Sequence, residues 1–370
     1  MEREISAYGP SSSFKVGELP EGCLRCIKGE KIVLYTTGSC SVGCSYCPIP
    51  EDRQKVDDVF VNERPVDLED DGVIFDESNQ CLATGAGITG GDPMEVPERT
   101  INYIRAIREK MGNDYHLHLY TSGRFFINHM ELIDDLFAAG LDEMRFHPRN
   151  LRSYEVWDIA KKTKKKYPDK SIGFEVPAIP NREEDLEKLI NFADEAGLNF
   201  VNLNEYEFTD TNFNKLSQRG FVSVLTNAAI VGSKDTARKV IEKVKDSTSL
   251  SLHFCSSGSK DSIQLVQRYK KRASQTRREF DLITEEGLFQ FGEFSVETRE
   301  DFDTLLALLR NDLEVEEEMM EIFVNEMTVE TADYIVAMTI EDIREIIEVD
   351  AAIITRFPYD QSPIVSSDPL

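Results

Sequence analysis

The stretch Ser39-Cys40-Ser41-Val42-Gly43-Cys44-Ser45-Tyr46-Cys47-Pro48 decides how this chain is read. It places three cysteines within eight residues of a Gly- and Ser-bearing loop, directly after the β-rich segment Lys31 to Thr37. Thiolates at Cys40, Cys44 and Cys47 supply all but one of the ligands that a cubane iron–sulfur cluster takes. The iron left over has an open position, and open positions bind substrates or cofactors, as a catalytic zinc does where a structural zinc is closed.

Simpler explanations of the triplet fare worse. Seven cysteines in 370 residues is not the density of a disulfide scaffold. No signal-peptide pattern or membrane-length apolar run is visible, so a reducing, cytoplasmic setting without membrane association is the expectation. A structural zinc would want a fourth ligand close by, and none of the thirty residues after Cys47 is Cys or His.

A second motif stands one βα unit further on. The run Cys81-Leu82-Ala83-Thr84-Gly85-Ala86-Gly87-Ile88-Thr89 reads as a strand that ends in Gly90-Gly91-Asp92-Pro93. Without a Cβ, Gly90 and Gly91 let the backbone approach a ligand closely.

Cys-x3-Cys-x-aromatic-Cys after one strand and Gly-Gly-Asp-Pro after the next resembles the radical S-adenosylmethionine superfamily. There the second strand ends in Gly-Gly-Glu-Pro, and its backbone grips the methionyl amine; Asp92 replaces the Glu and leaves that backbone role intact. Three further segments, Leu141 to Pro148 (LDEMRFHP), Phe200 to Asn212 (FVNLNEYEFTDTN) and Leu252 to Leu265 (LHFCSSGSKDSIQL), look like an archaeal group related to the activating enzyme of pyruvate formate-lyase. The likeness spans about residues 20 to 275. It implies a [4Fe-4S] cluster on Cys40, Cys44 and Cys47, S-adenosylmethionine chelated to the fourth iron, and a low-potential electron donor. One electron would cleave the cofactor to methionine and a 5′-deoxyadenosyl radical, which abstracts hydrogen from a substrate. Tyr46 occupies the superfamily's aromatic position beside the adenine, with loop packing as its other reading.

The fold expected is α/β: a partial (β/α)6 barrel of the TIM type over 31–275, preceded by an N-terminal segment, 1–30, and followed by a small α+β domain, 276–370. Strands are expected at Ile32 to Thr36, Leu82 to Thr89, His116 to Thr121, Glu143 to Phe146, Ile172 to Val176 and Phe200 to Asn204, with apolar spacings of three and four marking helices between them. Gly140 and Gly197 stand where helix C-terminal caps belong. The acidic insertion 49–80 reads either as a lid over the cysteine face or as a surface ornament. Chemistry in such folds gathers at the carboxyl ends of the strands, where both motifs fall.

Other strand ends carry further cofactor-binding candidates. Thr121 and Ser122 could reach a ribose or carboxylate. Arg145 and His147, two apart on a strand, suit a carboxylate clamp with an imidazole, or an Arg paired with Glu143 or Asp142 beside a core histidine. Glu175, Asn202 and Asn204 are polar in apolar strands and need partners, from a bound nucleoside or from each other.

Cys23-Leu24-Arg25-Cys26 is a metal-knuckle spacing, and His253 and Cys255 share one strand face. Together they make a Cys3His set for zinc or an auxiliary iron–sulfur cluster, with plain reduced thiols as the competing reading. Cys81 reads as core, and Ser256-Ser257-Gly258 as a helix cap or an anion site.

The formal charge of −26 disfavours nucleic acid over most of the surface. Two basic runs, Lys161 to Lys166 and Arg268 to Arg278, cut across it; the first suits a helix C-terminus, and the second keeps an RNA substrate open beside a protein or a small molecule. A non-catalytic iron–sulfur protein that carries electrons or senses redox state is the alternative to an enzyme.

Overall fold

The computed structural model describes residues 3–8, 12–359 and 362–370. The chain divides into two compact units, Met1–Leu265 and Val266–Leu370.

The first unit is built on an 11-stranded mixed sheet. Seven strands run parallel: β3 (Lys31–Tyr35), β6 (Gly85–Thr89), β7 (His116–Thr121), β8 (Glu143–Phe146), β9 (Ser171–Ala178), β10 (Phe200–Glu205) and β11 (Ser251–Cys255). All six expected strands form, and β11 extends the parallel run to a seventh. The expectation of a purely parallel sheet is corrected at both edges. N-terminal β1 (Ser6–Ala7) and β2 (Phe14–Val16) add antiparallel beyond β11, and the hairpin β4 (Val59–Val61) and β5 (Arg64–Val66) adds antiparallel beyond β3. Either edge would otherwise leave a row of backbone donors and acceptors unpaired. The sheet ends in β1 on one side and β5 on the other, so it is open.

Along each parallel strand the side chains alternate between two environments, as the two-residue period requires. Leu117, Leu119, Met144, Phe146, Phe174, Val176, Val201, Leu203, Leu252 and Phe254 belong to one core with the apolar faces of α3 (Pro97–Met111), α4 (Leu132–Ala139), α5 (Tyr154–Lys166), α6 (Glu183–Glu195) and α8 (Ser233–Val244). The intervening positions are polar, His118, Arg145, Glu175, Asn202 and His253 among them, and they are buried too, apart from the half-buried Glu175. The short helix α1 (Glu21–Ile27) lies against that polar face: a Cβ on Gly22 would stand 2.6 Å from Arg145 Nη2 and 2.7 Å from His118 Nδ1.

The helix ends follow the sequence. Gly140 takes a left-handed conformation, φ 112° and ψ 19°, at the end of α4, and Gly197 has φ 70° after α6. The insertion 49–80 is no free lid over its C-terminal part: Val59, Val61, Val66, Ile74 and Phe75 are buried in the main core, the last two from α2 (Gly72–Gln80).

The second unit is α+β. Strands β12 (Leu282–Ile283) to β17 (Ile364–Pro369) form a six-stranded antiparallel sheet, centred on β13 (Phe289–Ser295). Phe294, Phe302, Leu305, Val329, Val336 and Ile340 fill its largest core. Within it part of the second basic run is spent internally, since Arg278 is paired with Asp281, Glu321 and Glu330 and Arg268 and Arg272 are buried, while Arg277 is exposed. In the first run Lys164 caps the carbonyls of Pro168 and Lys170 at 2.6 and 3.0 Å, the C-terminal role that lysines suit. Among the described residues no helix is long and apolar enough to cross a membrane.

Candidate functional site

Cys40, Cys44 and Cys47 are free, half-buried thiols on the loop that leaves β3 at its carboxyl end. The loop is staked from several sides. Gly91 N–H donates to the Thr37 carbonyl at 2.7 Å and Asp92 N–H to the Ser39 carbonyl at 2.9 Å. Ser41 N–H donates to Glu95 at 2.9 Å, Thr211 Oγ1 to the Ile49 carbonyl at 3.0 Å, and Asn212 Nδ2 to the Tyr46 carbonyl at 3.4 Å.

The glycine pair does something the sequence reading did not foresee. A Cβ on Gly90 would stand 2.5 Å from the Thr37 carbonyl oxygen, and one on Gly91 would stand 2.1 Å from that of Ser39. Both residues are small because the exit of β6 is pressed against the cysteine loop. The close approach seen at both residues is of chain to chain. Gly90 also has φ +150°, a conformation that other residues rarely adopt.

Asp92 completes the junction, with its carboxylate accepting from Thr121 Oγ1 and Ser122 N–H at 3.0 Å each, from Met94 N–H at 3.1 Å and from Ser122 Oγ. The two hydroxyls expected to reach a ribose are thereby occupied in tying β7 to β6. Burial pushes the Asp92 carboxyl pKa up, against the pull of those donors. Pro93 opens the short turn that follows.

Tyr46 packs between His147 and Tyr206, and its hydroxyl lies 2.9 Å from His147 Nε2 and 2.8 Å from the Arg149 carbonyl. His147 Nδ1–H donates to the Glu175 carbonyl at 2.8 Å, and burial lowers the ring's pKa. Tyr46 thus anchors the loop to β8 and β9.

Arg145 and Glu175 share a second network, deeper on the polar sheet face. Arg145 Nη1 donates to Glu175 Oε2 at 2.7 Å and Nε to Glu143 Oε1 at 2.6 Å. The pairing with Glu143 is one of the two alternatives raised from sequence; Asp142 instead pairs with Arg108 at 2.8 Å. Asn202 and Asn204 donate to Glu175 at 3.1 and 3.0 Å. Burial raises the Glu175 pKa, but Arg145 and the two amides outweigh it and bring it to about 2.

These residues line a cavity of about 180 Å³, together with Cys23, Cys26, Lys31, Tyr120, His253, Cys255, Lys260 and Gln264. The structure therefore brings both halves of the suspected Cys3His set to one place. Burial drives the Cys23 thiol up to about 11 against the pull of Arg145, and the Cys255 thiol up to about 12 against Lys260. Cys81 is core, fully buried with its Sγ 3.1 Å from Glu77 Oε1. Ser256 caps the Ser259 N–H, and Ser257 donates to Glu205 Oε2 at 3.0 Å, so this segment is a helix cap.

Sequence reading missed Lys31, Tyr120, Lys260 and Gln264 in the cavity, and the group His116, His118 and Glu143, whose ligand-type atoms lie within 4.8 Å of one another. The period-two run His116-x-His118-x-Tyr120 was the available signal for part of it. Lys260 and Gln264 had none, because their place depends on how the chain turns after β11.

No family model matches the chain. A curated relative from Methanocaldococcus jannaschii, provisionally named a glycyl-radical enzyme activating enzyme, is 36% identical over 309 residues, covering 81% of this chain and 80% of the relative. The chain belongs to the radical S-adenosylmethionine superfamily, in the group related to glycyl-radical enzyme activating enzymes. It is a radical S-adenosylmethionine enzyme, and its cofactors are a [4Fe-4S] cluster and S-adenosylmethionine.

Among solved structures, SuiB of Streptococcus suis bound to S-adenosylmethionine aligns with 62% of this chain at 13% identity and a TM-score of 0.43. SuiB bound to the precursor peptide SuiA aligns with 69% at 12% identity and 0.44, and the methyltransferase TsrM of Kitasatospora setae with 53% at 14% and 0.36. The chain spans about half the length of SuiB, 50% and 53% in the two alignments. Scores below 0.5 are too low to bear on function.

Proposed function

We propose that the protein reductively cleaves S-adenosylmethionine and abstracts a hydrogen atom from a backbone or side-chain carbon of a partner protein, in an anaerobic cytoplasm and with a low-potential electron donor. The observation that carries the reading is the junction of Gly90, Gly91 and Asp92 with the loop of Cys40, Cys44 and Cys47, which holds three thiols at one end of the parallel strands. The fit of that loop to the cluster rests on its donor set: three cysteines and a backbone pinned on both flanks. Cys40, Cys44 and Cys47 would hold the cluster, which would supply the electron for reductive cleavage of S-adenosylmethionine and so the radical chemistry that removes a substrate hydrogen.

The chain's own residues do the positioning. Cys40, Cys44 and Cys47 hold the cluster. The backbone of Gly90 to Pro93 lies beside it, with Asp92, Thr121 and Ser122 as positioning residues that fix this backbone. Tyr46 holds the loop against His147. Arg145, Glu175, Asn202 and Asn204 offer a polar wall within the sheet, which we read as a partial (β/α)6 barrel with β11 continuing it. The unit from Val266 onward contains no cysteine, and we assign it to partner docking. A partner protein is favoured over RNA by the name of the curated relative and by the internal pairing of Arg278.

Anaerobic reconstitution with iron and sulfide, addition of S-adenosylmethionine and a low-potential reductant, and quantification of 5′-deoxyadenosine test the reading. Formation of 5′-deoxyadenosine is expected, and its absence from fully loaded protein sinks the proposal. A cluster whose paramagnetic resonance spectrum ignores S-adenosylmethionine would instead mark a non-catalytic electron carrier.

A further inference from the structure

We infer that Cys23, Cys26, Cys255 and His253 hold a second iron–sulfur cluster, separate from the one on Cys40, Cys44 and Cys47. α1 brings Cys23 and Cys26, and the adjacent β11 positions bring His253 and Cys255, to the wall of the same cavity of about 180 Å³. Three thiols and an imidazole, drawn from sites more than two hundred residues apart, meet on the polar face of the sheet.

His253 carries the first independent sign of a ligand. It is 3% exposed, its Nδ1 is buried with no hydrogen-bond partner, and its Nε2 is engaged by the Tyr8 hydroxyl. A buried imidazole with one nitrogen anchored and the other idle has the arrangement of a metal ligand oriented by a neighbour. An idle buried nitrogen is otherwise costly.

Hydrogen-bond donors around the sulfurs are the second sign. Arg145 Nη1 and Asn202 Nδ2 stand 3.4 and 3.3 Å from Cys23 Sγ, and Gln264 Nε2 stands 3.9 Å from Cys255 Sγ. Hydrogen bonds to cysteine sulfur are among the means by which proteins hold and tune such clusters. Three cations also line the cavity: Arg145 is shared between Glu143 and Glu175, Lys260 pairs with Glu207 at 2.7 Å, and Lys31 is the third.

Room separates a cluster from zinc: the four residues line a cavity of about 180 Å³, more than a single ion needs. Tetrahedral zinc at about 2.3 Å from each sulfur sets its thiolates about 3.8 Å apart. Among the described residues, three ligand-type atoms within 4.8 Å of one another occur at His116, His118 and Glu143. The His116 group is a poorer cation site, because Glu143 is already bound to the Arg145 guanidinium.

The test uses the full chain with Cys40, Cys44 and Cys47 all replaced by Ala, reconstituted anaerobically with iron and sulfide. Equal amounts of iron and acid-labile sulfide should remain, with visible charge-transfer absorption, and adding Cys23→Ser with Cys26→Ser should bring both to background. His253→Cys should keep the iron and lower the reduction potential, since a thiolate replaces a neutral imidazole. Zinc without sulfide, or no metal in variants whose far-ultraviolet dichroism matches the parent, overturns the inference. Should the triple variant not fold, iron is compared between the parent and Cys23→Ser with Cys26→Ser. Equal iron in these two also overturns it. None of these readouts involves S-adenosylmethionine, so the inference and the proposed activity stand or fall separately.

Discussion

At the scale of the residue, Gly91 meets a steric demand that its motif does not state. Its lack of a side chain suits ligand approach, yet the atom a Cβ would strike is the Ser39 carbonyl oxygen at 2.1 Å. Gly91→Ala must therefore push the cysteine loop away from β6. We expect a loss of about 1–3 kcal/mol in stability, the usual cost of overpacking, and a fall in iron retained after reconstitution. Unchanged iron would show that the loop is not held by this contact. Asp92→Ala removes the acceptor for four donors on β7 and the following turn. It is expected to cost about 2–4 kcal/mol, read from the unfolding midpoint in denaturant, with Asp92→Asn falling between. The role of Asp92 was not legible from its resemblance to Glu, because the hydroxyls that it binds lie on another strand.

At the scale of the element, β7 and α6 make opposite points. His116, His118 and Tyr120 alternate with Leu117 and Leu119, so the polar face of β7 can be read from spacing alone. What that face meets cannot, since α1 and β8 arrive from distant sequence. On α6, Asp185 is buried and joined by Arg152 at 2.5 Å and by Arg182. Burial pushes its carboxyl pKa up, but the two guanidinium groups prevail and hold it below the ordinary value. A carboxyl whose folded pKa is depressed contributes stability above its unfolded value, about 3.9, and loses that contribution as pH falls through the folded one. Thermal unfolding of the parent and of Asp185→Asn should therefore differ at pH 6, and the difference should vanish as pH falls through the depressed folded pKa. A gap that persists in acid would mean that shape rather than charge holds this helix.

At the scale of the whole molecule, the charge of −26 makes self-repulsion the leading long-range term. Raising salt from about 0.01 M to about 1 M shortens the screening length from roughly 30 Å to 3 Å. The melting temperature should rise over that range in potassium chloride; a fall would mean that attractive pairs such as Arg99 with Asp57, at 2.7 Å, outweigh the repulsion.

The cysteine loop, the α/β repeat and the glycine caps were legible in the chain alone, because each is written in local spacing: a ligand interval, a two- or 3.6-residue period, a backbone conformation; the superfamily was implied by the resemblance of the two motifs. Only the tertiary structure decided that the sheet is mixed at both edges, that Gly90 and Gly91 press on the cysteine loop, and that Cys23, Cys26, His253 and Cys255 line one cavity. Those facts depend on which strands become neighbours, and that is settled by the burial of apolar faces across the whole chain, which no local interval records.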